Sequence, residues 1–195
     1  MKQATVFAVL ITIVSFSFAR PSNDQNRYIV KNHGDTSLVK TPGIQNMLEE
    51  ILRVTGLQSN FELKEGNVPN IEASVSHRKR YILYNPAFIT TLNNVSKNKW
   101  SVMALLAHEV GHHLNGHTIR KGGSTPELEL EADEFAGFIL YKLGATLDQS
   151  QNVMNYIAKE KTSRTHPARK SRLSAIEKGW NRSFALEQMD DTARQ

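Results

Sequence analysis

Apolar residues along this chain recur at helical spacing in several stretches and at strand spacing in others. Ile44, Met47, Leu48, Ile51 and Leu52 follow the i, i+3, i+4 rule for one helix face. Thr41 and Pro42 stand ahead of them as cap and first helical residue, and Gly56 closes the pattern. Residues 70–76 and 80–84 read as neighbouring strands, parted by His77-Arg78-Lys79 and closed by Asn85-Pro86. A short helix over 86–93 and a polar connection over 94–98 lead to residues 100–114, whose unbroken apolar run at 102–107 predicts a buried helix. After the loop Lys121-Gly122-Gly123-Ser124, Thr125 and Pro126 open a helix that runs to Leu143 and stops at Gly144. Thr146 and Gln149 have the spacing of a capping box and open a helix to about Lys159. Pro167 starts the last helix, expected to end near Lys178-Gly179. The pattern predicts an α+β domain, mostly helical, with a small antiparallel sheet.

The length of 195 residues suits one domain with a real core. Residues 1–19 join a positive start at Lys2 to an apolar stretch, with small residues at Ser17 and Ala19, the signature of a cleaved secretory signal. They are too few for a comfortable membrane span, and no later segment is long and apolar enough for one. The expected organisation is a signal peptide at 1–19, a poorly ordered lead-in at 20–40, the domain at 41–182 and a C-terminal tail at 183–195. The protein is then expected to be exported, to a periplasm or to the outside, with no integral membrane segment once the signal is removed. The chain has no cysteine, which excludes thiolate catalysis and leaves stability to the core and to any bound metal. Basic residues exceed acidic ones, 24 to 19, and crowd residues 159–182. No aromatic interleaving or binding motif accompanies them, so a solvated basic face is expected and no nucleic-acid partner.

Candidate chemistry gathers in residues 105–117, LLAHEVGHHLNGH. His108 and His112 lie four apart, so a helix stacks both imidazoles over one point, as a zinc ion requires of two ligands. Glu109 projects beside that point, placed to hold and deprotonate a water. Burying these groups beside an apolar run is costly unless something pairs with them. Gly111 weakens the helix, which implies that something passes close to its backbone. A catalytic zinc needs a third protein ligand. His117 lies nine positions after His108, the wrong spacing for the extended H-E-x-x-H-x-x-G-x-x-H pattern. His113 and His117 are expected to face solvent at the helix end. Glu129 and Asp133 share a helix face with Ala136 and Leu140, where carboxylates need partners: a zinc ion for Glu129 and an imidazole N–H for Asp133. Glu127 and Glu131 fall mostly on the other side, explained by an acidic, solvated first turn.

His108-Glu109-x-x-His112 followed by Glu129-x-x-x-Asp133 resembles the gluzincin zinc metallopeptidases of the HtpX and CAAX prenyl protease type, in a small, soluble, exported form. Val68-Pro69-Asn70 before a strand, and Thr165-His166-Pro167 with Arg172 five residues after the proline, resemble two further landmarks of that family. The membrane helices of its polytopic members are missing, and Glu72 stands where such members are more apolar. The resemblance covers about residues 68–180 and implies a zincin-like (minigluzincin) fold. It also implies one Zn2+ per chain held by His108, His112 and Glu129, with Glu109 as general base and a polypeptide as substrate. Asp133 would hold a zinc-bound histidine in the right tautomer. His166 is the leading candidate for the oxyanion donor, with Arg172 orienting it; the same residue is placed to reach the zinc as an inhibitory ligand, or to serve as a structural cap. The expected function is a metalloendopeptidase acting on unfolded or flexible exported proteins. A zinc-containing, non-cutting chaperone or adaptor is the alternative.

Overall fold

A computed structural model of the chain describes residues 7–8, 43–120 and 123–194. The expected signal and lead-in therefore lie outside the described residues, apart from Phe7 and Ala8. Among the described residues are four strands, β1 (Phe7–Ala8), β2 (Phe61–Glu65), β3 (Ile71–Ser76) and β4 (Lys79–Tyr84). The helices are α1 (Ile44–Thr55), α2 (Pro86–Ser96), α3 (Trp100–Leu114), α4 (Pro126–Lys142), α5 (Leu147–Gln151), α6 (Met154–Ile157) and α7 (Arg169–Ala193).

Helix α3 is the centre of the molecule, with every residue from Ser101 to His113 buried. Its apolar half packs on Met47, Leu48 and Ile51 of α1, on Ile71 and Ile82 of the sheet, and on Ala136, Ile139 and Leu140 of α4. A helix surrounded on all sides must bury whatever polar residues it carries, and α3 carries His108, Glu109, His112 and His113.

The sheet order is β1-β3-β4-β2. The β3–β4 hairpin turns through His77 and Arg78, both at positive φ (49° and 65°), as a two-residue turn matched to strand twist requires. The expected small antiparallel sheet is corrected to a mixed one, because β2 runs parallel to β4. Strand β4 folds back between β2 and β3, so β2 meets a strand running its own way. On the other edge β1 pairs antiparallel with β3, Phe7 opposite Val75 and Ala8 opposite Ser74.

Helices α4 and α7 cross at contact distance. A Cβ on Gly137 would overlap the Ile176 carbonyl oxygen, and one on Gly179 would overlap that of Glu134. This close crossing brings Arg172 of α7 against α4. Several helix ends differ from expectation: Gly43, in place of Thr41, is the cap of α1, α7 begins at Arg169 after Ala168 rather than at Pro167 and continues past Gly179 through the expected tail to Ala193, and the helix opened by the Thr146 and Gln149 capping box is split into α5 and α6. Among the described residues no helix is long and apolar enough to cross a membrane.

Candidate metal centre

The first two members of the centre come from one face of α3, where the Nε2 atoms of His108 and His112 lie 3.0 Å apart. Glu129, on the first turn of α4, completes a triangle. Its Oε2 is 3.4 Å from His108 Nε2, and its Oε1 is 3.5 Å from His112 Nε2. A tetrahedral ion with bonds of about 2.0–2.1 Å separates its ligand atoms by about 3.3 Å, so the three distances suit such an ion. Glu129 Oε2 is buried and has no hydrogen-bond partner, a cost that a cation in the triangle removes. The donors fit, and this group can hold a metal ion.

Local packing explains why α4 can deliver Glu129. A Cβ on Gly111 would sit 3.0 Å from Phe135 Cδ1 and 3.3 Å from Ala132 Cα, so α4 is the neighbour anticipated from that glycine. Glu129 and Asp133 both lie on the buried face with Ala136 and Leu140, as the spacing predicts. Ser124, just ahead of α4, donates its hydroxyl to Glu129 Oε1 and fixes the carboxylate from behind.

Each histidine of the triangle is held by its other ring nitrogen. Asp133 Oδ1 accepts from His108 Nδ1 at 2.8 Å, which turns Nε2 toward the triangle. Arg172 donates to both oxygens of Asp133, Nε to Oδ2 and Nη2 to Oδ1, each at 2.7 Å. Arg172 was expected to orient His166; it is bonded to Asp133 instead, because the α4–α7 crossing points it there. On the other side His112 Nδ1 lies 2.9 Å from His117 Nδ1, and His117 Nε2 lies 2.9 Å from Glu131 Oε2.

The expectation that His113 and His117 face solvent is overturned: they are 1% and 3% exposed. Gly116, at φ 73°, folds the chain back after α3 so that His117 tucks beneath the helix end. His113 Nε2 donates to the Tyr81 carbonyl at 2.9 Å, and its ring stacks on Phe61. It clamps α3 to the sheet and belongs to the core.

Glu109 sits beside the triangle and accepts the Ala73 N–H of β3 at 2.7 Å. Burial pushes its carboxyl up to about 8, against the pull of His108. Burial would lower His108, but the Asp133 and Glu129 carboxylates outweigh it and hold that imidazole at about 10. His112 and His113, dominated by burial, fall to about 4. Burial would raise Glu129, but the neighbouring imidazoles of His108, His112 and His166 outweigh it and hold that carboxylate well below the usual range. Arg172 and His108 do the same for Asp133.

His166 reaches the centre from the loop before α7. Its Nδ1 is 3.7 Å from Glu129 Oε2, and both ring nitrogens are buried without hydrogen-bond partners. Sequence reasoning thus names the triangle, Glu109, Asp133 and His166, all of which converge. It misses Ser124, His117 and Glu131, whose only signal is their nearness in sequence to residues already singled out. An open cavity of about 790 Å³ lies elsewhere, lined by Tyr141, Trp180 and Glu187 among others and by none of the triangle residues. Comparison with family profiles, with curated proteins and with solved structures finds no match.

Proposed function

We propose that the chain is a zinc-dependent metalloendopeptidase of the gluzincin type, with one zinc held by His108, His112 and Glu129. The observation that carries this reading is the position of Glu109. Its buried carboxylate lies beside two imidazoles and the Glu129 carboxylate, and because only its Oε2 is engaged, by the Ala73 N–H, the other oxygen is left to accept a proton from a water at the triangle.

Zinc in this triangle would supply Lewis-acid polarisation of a scissile carbonyl and a lowered pKa for water. The remaining work belongs to the chain. Glu109 takes a proton from the attacking water on its carboxylate and returns it to the leaving amine. Asp133, braced by Arg172, keeps the His108 proton on Nδ1. His166, with two unpartnered ring nitrogens, is the donor for the oxyanion. An extended substrate pairs its backbone with the outer edge of β3, an edge that already takes Phe7–Ala8 as an antiparallel strand. Backbone pairing is largely indifferent to side chains, which favours unfolded or flexible polypeptides. With residues 1–19 as a signal, those substrates are envelope or extracellular proteins.

The test is cleavage of an unfolded casein-like substrate by the wild type and by Glu109→Gln, with zinc content measured on the same samples. The wild type should cut, stop on chelation, and recover with zinc; Glu109→Gln should keep its zinc and lose activity by several powers of ten. Zinc binding by both with cleavage by neither would replace the peptidase by a non-cutting adaptor.

A further inference from the structure

We propose that His117 and Glu131 form a second positioning arm for the metal centre, acting on His112 as Asp133 and Arg172 act on His108. The inference builds on the metal-binding triangle of the preceding reading and assigns a role to two residues outside it.

Hydrogen positions follow from a chain of single choices. A His112 that offers Nε2 to a metal carries its proton on Nδ1 and donates it across 2.9 Å to His117 Nδ1. His117 then accepts at Nδ1, so as a neutral ring it keeps its own proton on Nε2. That nitrogen lies 2.9 Å from Glu131 Oε2, an acceptor. Every donor meets an acceptor, in one direction, from the metal site outward. The reverse order fails: a proton on His117 Nδ1 would be donated to His112 Nδ1, leaving His112 Nε2 protonated and closed to a metal.

The geometry around the arm is built for this arrangement. The His112 and His117 rings are inclined by 70° with centroids 5.0 Å apart, and the 2.9 Å contact joins nitrogen to nitrogen at their edges, so an in-plane N–H meets an in-plane lone pair. His117 is 3% exposed, whereas the Glu131 side chain is 58% exposed. The arm therefore runs from the buried centre to the surface and is stiff only as far as His117. The two arms are unequal. His108 ends on a buried carboxylate gripped twice by a buried arginine, while His112 ends on a carboxylate that water can reach. His112 is thus the weaker attachment, and Glu131 sets how firmly it is held.

The experiment measures zinc release from the full chain into excess chelator, and zinc affinity by competition, for wild type, Glu131→Gln, His117→Ala and the double variant. Outer partners of metal-bound histidines are worth about 10–100-fold in affinity. His117→Ala should show a loss in that range, and Glu131→Gln a smaller one, with faster release. The double variant should match His117→Ala, because Glu131 acts only through His117. Thermal unfolding of the metal-free forms supplies the control: Glu131→Gln, altered at the surface, should unfold with the wild type. Unchanged release in Glu131→Gln, or losses that multiply in the double variant, would overturn the proposal while leaving the zinc site intact. A wild type that takes up no zinc would instead remove the metal reading itself. If His117→Ala does not fold, the Glu131→Gln release rate decides alone.

Discussion

Cutting the link between Asp133 and Arg172 separates what this pair does for the fold from what it does for the metal. Arg172 is 5% exposed, and its hydrogen bonds to Asp133 make that carboxylate its counter-charge. Asp133→Asn leaves the guanidinium buried against a neutral amide whose N–H groups oppose its own. Breaking one side of a buried pair costs about 3–5 kcal/mol, a large share of the stability of a domain this size. The same change deprives His108 of the carboxylate that accepts its Nδ1–H, which should weaken zinc about 10–100-fold, or about 1.4–2.7 kcal/mol of binding. The double variant Asp133→Leu, Arg172→Met removes both charges and keeps volume in the gap. Buried pairs replaced in this way are often neutral or more stable, so unfolding of the metal-free double variant should return to within about 1–2 kcal/mol of the wild type. Zinc affinity should not return. The assays are denaturant unfolding without metal and zinc competition against a chromogenic chelator. Recovery of both quantities, or of neither, would refute the division of labour.

Gly137→Ala and Gly179→Ala each force a methyl into a carbonyl of the opposite helix, so each should cost more than about 3 kcal/mol in denaturant unfolding and weaken zinc binding as Arg172 is displaced. His113 is held neutral, its folded value down from 6.5 to about 4. Its depressed value means full stability above pH 6.5 and loss as the pH falls toward 4, by about 3 kcal/mol at about 1.4 kcal/mol per pKa unit. The pH dependence of unfolding in metal-free His113→Gln should be flatter over that window by this amount; identical slopes would deny the assignment. Thr146→Ala removes the side-chain half of the α5 capping box and should lower stability by about 1 kcal/mol without changing zinc content.

Much of this centre is legible in one dimension because helices translate spacing into direction. His108 and His112 are four apart on α3, and Glu129 and Asp133 are four apart on α4; in both cases the periodicity alone puts the side chains on one face. The buried run ahead of His108 adds that these groups must have partners. What stays hidden depends on how separate elements meet. The link from His112 through His117 to Glu131 needs the left-handed turn at Gly116 and the approach of α4, neither of which a spacing rule encodes. Arg172 finds Asp133 only because two glycines let α4 and α7 touch. Strand β2 carries only Phe61 and Leu63 among charged neighbours, too little alternation to stand out. The far half of α7 has no apolar stripe to mark it. Phe184, stacked with Trp180 against Tyr141, provides the packing there.

The claim on which the rest depends is that His108, His112 and Glu129 together hold a metal. Zinc stoichiometry of the purified full chain, measured by atomic emission after dialysis against trace free zinc, tests it directly when repeated for His112→Ala, Glu129→Ala and Glu109→Gln. One zinc per chain is expected in the wild type and in Glu109→Gln, and essentially none in the other two. A wild type without zinc, or a Glu129→Ala protein that retains it fully, would contradict it.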